Sequence, residues 1–146
     1  MLLFLIMNSA IVYGEHPYSK HSSMDKLYIN SDNLVIDQTK QQAFFTGEVI
    51  LWFDDIMVKT TNLEIFYKIV DNKKTINYIS IPSRLIAKRN DGQELLIATS
   101  AKYFVERKEI VLLGDVIVQN KNGIIKTDKL VYYTKLNNVN YSKSNN

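Results

Sequence analysis

The chain has 146 residues, 46% hydrophobic and 23% charged, with 18 Lys and Arg against 15 Asp and Glu for a net charge of +3. That length holds one domain of ordinary size, and the balance excludes a disordered or fibrous chain. The lack of cysteine excludes disulfides, thiolate metal sites and thiol catalysis, and the basic residues are scattered singly, so nucleic acid is not an expected partner.

Residues 2–13, from Leu2 to Tyr13, form an uncharged apolar run shorter than the roughly 20 residues that span a bilayer, with small Val12 and Gly14 ahead of Glu15. The run predicts a secretory signal over residues 1–14, cleaved near Gly14, although no Lys or Arg precedes Leu2. Residues 15–26, with Pro17, Ser19, Ser22 and Ser23, predict a flexible polar leader. Both histidines, His16 and His21, fall in it, which withholds the usual general base and metal ligand from the rest of the chain.

From Leu27 onward apolar residues alternate, and β-branched and aromatic residues are frequent, which predicts strands and almost no helix. Val49, Leu51 and Phe53 share one parity, as do Ile56 and Val58, then Leu63, Ile65 and Tyr67. Asp54-Asp55, Asp71-Asn72, Asn90-Asp91-Gly92 and Asn120-Lys121-Asn122-Gly123 close the runs as turns. A single β domain is therefore expected over residues 27–136, followed by a polar tail over 137–146.

The chain also repeats itself. Gly47 through Leu63 lies without a gap on Gly114 through Leu130, at an offset of 67 residues. A shorter unit recurs four times, at Ile29-Asn30-Ser31-Asp32-Asn33-Leu34-Val35-Ile36, Val58 to Ile65, Ala98-Thr99-Ser100-Ala101-Lys102-Tyr103-Phe104-Val105, and Ile125 to Tyr132. Ser, Thr and Asp at its centre can bond local backbone and bend the strand, leaving apolar residues facing inward on both sides of the bend. Repeated bends stack the chain into two facing antiparallel sheets, a β sandwich or jelly roll.

Ser31-Asp32-Asn33-Leu34, Ala43-Phe44-Phe45-Thr46-Gly47-Glu48-Val49 and Val58-Lys59-Thr60-Thr61-Asn62-Leu63 resemble the OstA-like family of lipopolysaccharide-transport proteins, and Ala98 to Tyr103 with Leu112-Leu113-Gly114-Asp115-Val116 fit its second half. The similarity covers about residues 27–135 and is distributed rather than tied to one motif; Ile79-Ser80-Ile81-Pro82 departs from it. The resemblance implies an all-β, twisted, V-shaped antiparallel jelly roll open along one side into an apolar groove. It implies no enzyme and no cofactor, but a periplasmic bridge of LptA type that shields the lipid A acyl chains of lipopolysaccharide. Such a protein pairs edge to edge with further copies and with LptC-like inner-membrane and LptD-like outer-membrane components. An anchored LptC-like sibling and a carbohydrate-binding or structural module are the other readings.

The inward parity supplies a lining: Phe45, Val49, Leu51, Val58, Leu63 and Ile65 from the first repeat, and Leu112, Val116, Val118, Ile125, Leu130 and Tyr132 from the second. A closed core and a lipid groove demand the same pattern, so the residues fit either. Leu27, Tyr28 and Ile29 in the first strand and Val131 and Tyr133 in the last lie in segments without proline, able to accept a partner strand. Lys59, Lys68, Lys73, Lys74, Arg84, Lys88, Arg89, Lys126 and Lys129 are candidate rim charges for lipid phosphates, or simply a solvated face. A glycosidase would need two facing carboxyl groups, yet Glu64, Glu94, Glu106 and Glu109 are expected at outward or loop positions. No metal site is expected, and Trp52 has outward parity, suited to a partner or sugar contact.

Overall fold

The computed structural model describes residues 27–134 apart from Asp54 and Asn90. The predicted signal, leader and tail, with both histidines, lie outside the described residues, as does half of the Asp54-Asp55 turn. Ten strands follow in order: β1 (Leu27–Asn30), β2 (Asn33–Asp37), β3 (Gln42–Phe53), β4 (Ile56–Val70), β5 (Lys73–Ile81), β6 (Leu85–Arg89), β7 (Glu94–Ala98), β8 (Ser100–Phe104), β9 (Glu109–Asn120) and β10 (Gly123–Tyr133). Every pairing between them is antiparallel.

The pairing makes the four long strands cross from one layer to the other. β3 pairs β2 through Gln42–Thr46 and β1 through Ile50–Phe53, and β4 takes β6 at Ile56–Lys59 but β5 at Glu64–Val70. β9 pairs β8 through Glu109–Leu113 and β7 through Ile117–Gln119, with β10 along its other edge. Layer one therefore contains β2, β5, β8, the first halves of β3 and β9 and the second halves of β4 and β10. Layer two contains β1, β6, β7 and the remaining halves. The result is an all-β antiparallel jelly roll.

Adding 67 to the bounds of β2 and β3 gives those of β8 and β9, so the sequence repeat is a structural one. It also corrects the third copy of the short unit: the strands set Thr99 on Asp32 and Ser100 on Asn33, not Ser100 on Ser31. The reason lies at the corners. The Asp32 carboxylate accepts from the Glu48 N–H (3.1 Å) where β3 bends at Gly47, and Thr99 donates its N–H and hydroxyl to the Gly114 carbonyl (2.9 and 3.1 Å) where β9 bends. Both glycines have positive φ, +99° and +78°. The corner at Pro82 and Ser83, where the family resemblance is weakest, is tied by side chains instead. The Ser83 and Thr60 hydroxyls lie 2.7 Å apart, and Ser83 Oγ accepts from the Asn62 N–H.

Turns follow local chemistry. Asp71 and Asn72 both have positive φ, which makes the two-residue β4–β5 loop a type I′ hairpin turn. The β2–β3 turn carries no Gly or Pro and is built by the Asp37 carboxylate, which accepts from the N–H groups of Thr39 and Lys40 (3.0 Å each). Between the layers Ile29, Ala43, Phe45, Val49, Leu63, Ile65 and Val116 are buried.

Candidate functional site

A cavity of about 280 Å³ lies between the layers, lined by residues of both repeats and of the strands between them. Layer two contributes Leu51, Phe53, Ile56, Val58, Leu85, Ala87, Leu96, Val118 and Ile125 to its wall. Layer one contributes Ile79, Ile81, Ala101, Tyr103, Ile110, Leu112, Leu130 and Tyr132. The period-two alternation of each strand places these side chains on the inner face, so the wall is apolar almost throughout.

The predicted lining residues divide. Leu51, Val58, Leu112, Val118, Ile125, Leu130 and Tyr132 stand on the cavity wall. Phe45, Val49, Leu63, Ile65 and Val116 are sealed in the core and do not border it. Leu51 and Val58 of the first repeat stand on the wall and Val116 of the second is sealed, but at the outer strand of each repeat the difference follows what covers it. β5 and β6 cover the outer edge of β4, whereas β10, its equivalent, pairs only β9 among the described residues. Val58 is accordingly 7% exposed and its repeat partner Ile125 62%. Sequence reasoning missed the contribution of the middle strands, although Leu85, Ala87 and Arg89 alternate legibly with Ile86 and Lys88.

Among the described residues β1 pairs only β3 and β10 only β9, so the two strands lie at opposite ends of the pairing order. Leu27 and Ile29 are buried, so β1 presents backbone rather than apolar side chains, whereas Val131 and Tyr133 on β10 are exposed. Trp52 lies opposite Tyr28 and Met57, on the face turned away from Leu51 and Phe53.

Charge meets the cavity at one end. Of the nine candidate rim cations only Arg89 borders it; it is in register with Glu94, which also lines the wall. That placement corrects the outward or loop position expected for Glu94, because β7 begins there and shares its inward parity with Leu96 and Ala98. Arg89 Nη1 donates to the Tyr132 phenol, its guanidinium carbon lies 5.0 Å from the Tyr132 ring centre, and its Nε forms an ion pair with Asp55 at 3.4 Å. Desolvation lowers the Arg89 pKa, but the charges of Tyr132, Asp55 and Glu94 outweigh it and hold the group above its ordinary value. Lys102 also borders the cavity, but its ammonium lies outside over the Tyr78 ring, 5.7 Å from the centre. Glu94 is the one carboxylate on the described wall, so the paired carboxyl groups of glycoside cleavage are not assembled there. What the wall can do is take an apolar chain out of water.

A family model described as LptA/(LptD N-terminal domain) LPS transport protein matches residues 28–138. An uncharacterized protein of Rickettsia prowazekii (strain Madrid E), RP507, is 40% identical over 135 residues, which is 92% of this chain and 89% of that protein. Among solved structures, LptH of Pseudomonas aeruginosa is the LptA-homologous periplasmic component of that organism's lipopolysaccharide transport device. It matches with a TM-score of 0.58 at 14% identity, over 73% of this chain and 74% of its own. At that identity the likeness is one of fold, the same antiparallel jelly roll. Since the family match runs through all ten strands, the chain belongs to the LptA/(LptD N-terminal domain) LPS transport protein family.

Proposed function

We propose that the chain is an LptA-like periplasmic bridge component, secreted by its amino-terminal signal, that carries lipopolysaccharide from the inner to the outer membrane. The acyl chains of lipid A occupy the cavity and the phosphorylated sugars stay in water. The observation that carries this reading is an apolar wall that extends onto the uncovered strand β10, where Ile125 is exposed although its parity is that of the core. Each methylene moved from water into that wall gains about 0.8 kcal/mol, so even part of one acyl chain supplies useful affinity.

Edge-to-edge assembly fits the same architecture. β1 and β2 end the pairing order on one side and β10 on the other, so a further copy, or an LptC-like or LptD-like component, would continue both layers. Binding of purified lipopolysaccharide to the Leu130→Arg variant tests the acyl-chain site, with Glu64→Arg on the outer face of layer one as control. The first places a charge on the apolar wall and is expected to weaken binding by tenfold or more, about 1.4 kcal/mol; the second is expected to leave binding unchanged. Equal affinity in both folded variants would overturn the reading.

A further inference from the structure

Among the residues that line the cavity, side chains from opposite layers meet in two places. Arg89, at the end of β6 in layer two, is hydrogen-bonded to Tyr132 on β10 in layer one and lies against its ring face. Beside them Phe53 of layer two meets Tyr103 of layer one, ring centres 5.0 Å apart. All four line the cavity.

The arginine is also held by charge: its Nε faces the Asp55 carboxylate at 3.4 Å. Asp55, ion-paired with it, and Glu94, in register across β6 and β7, both offset the guanidinium charge and so disfavour a phosphate as its partner. The other half of the tie stands on the less anchored wall: β10 is an edge strand with Ile124, Ile125, Val131 and Tyr133 exposed.

We propose that Arg89 and Tyr132 form a clasp that closes the cavity between ligands, and that parting them, with β10 swinging about its Thr127 corner, admits the apolar chain. The inference rests on the cavity being an acyl-chain site and adds where the chain enters and what holds the entrance shut.

Because the sequence has no cysteine, Arg89→Cys with Tyr132→Cys puts the only two thiols across the clasp. The readout is stopped-flow uptake of N-phenylnaphthylamine, a neutral dye that brightens in apolar surroundings. Bridging the thiols with a short bis-maleimide is expected to slow uptake at least tenfold relative to the unbridged protein. Tyr132→Phe, which keeps the ring and removes the phenol, is expected to speed it several-fold and decides the matter if the double variant does not fold. Val118→Trp, which fills the cavity, separates the two claims. If it abolishes the dye signal while bridging and Tyr132→Phe leave the rate unchanged, the clasp is wrong and the cavity reading stands. If the signal survives Val118→Trp, both fall.

Discussion

Tyr67 shows how one buried polar atom records the strain of a mostly apolar interior. Its ring is packed in the core of layer one with the Lys74 ammonium 5.0 Å from its centre, but its hydroxyl makes no hydrogen bond among the described residues. Burial first, and the charge of Asp37 second, raise its pKa above the ordinary tyrosine value. The folded state therefore keeps a proton that the unfolded chain loses near pH 10, so the contribution of Tyr67 to stability is intact below that pH and falls as pH rises beyond it. The Tyr67→Phe variant should match or exceed the parent in urea midpoint at pH 8, by up to about 1 kcal/mol, since it removes an unsatisfied group. At pH 10.5 the gap should widen in favour of the variant, and a gap that stays constant or narrows would contradict the assignment.

At the scale of the strand, the corners decide the fold, and they decide it through few atoms. A Cβ at Gly47 would stand 2.5 Å from the Asp32 Cβ, and one at Gly114 would stand 2.7 Å from the Thr99 Cβ, on backbones already in the left-handed region. Gly47→Ala should cost about 1–3 kcal/mol in denaturant unfolding, while Gly92→Ala, with open space around it, should cost less because only the backbone conformation is strained. Equal losses would mean that the Asp32 contact is not tight. These elements were largely legible in advance. Alternation marked the long strands, Asp71-Asn72 marked its hairpin, and the offset of 67 marked the matching bends. The β2–β3 turn was not legible, because Gln38-Thr39-Lys40-Gln41 carries no breaker and the bend is made by the Asp37 side chain reaching forward. The phase of the third short unit was misread for a related reason: Asp32 and Thr99 serve equivalent corners with different groups, a carboxylate in one and a backbone N–H with a hydroxyl in the other.

In the whole molecule, two similar repeats have different fates because of their neighbours. The inward pattern of Leu63 and Ile65 is that of Leu130 and Tyr132, yet the first pair is sealed in the core and the second borders a cavity. No local pattern distinguishes them, since the difference is whether another strand covers the next edge of the sheet, a tertiary fact. The same contrast gives an energetic expectation. Leu63→Ala should destabilise by about 2–5 kcal/mol, and Leu130→Ala, on a partly open wall, by clearly less, as read from urea midpoints. Similar costs would mean that the second repeat closes in solution as the first does. The Arg89, Glu94 and Asp55 cluster was hidden for another reason: although β6 alternates legibly, only its pairing with β4 and β7 sets Arg89 beside the cavity and opposite Glu94.

The central claim is that acyl chains reach Ile125 and Leu130 of the second repeat and not the sealed Leu63 of the first. A photoreactive residue at Ile125 or Leu130, with Leu63 as the sealed equivalent and Glu64 as the outward control, followed by ultraviolet irradiation with lipopolysaccharide, tests it most directly. Crosslinks at Ile125 and Leu130 with none at Leu63 or Glu64 are the predicted result. Crosslinking at all four positions, or at neither second-repeat position in folded protein, would contradict it.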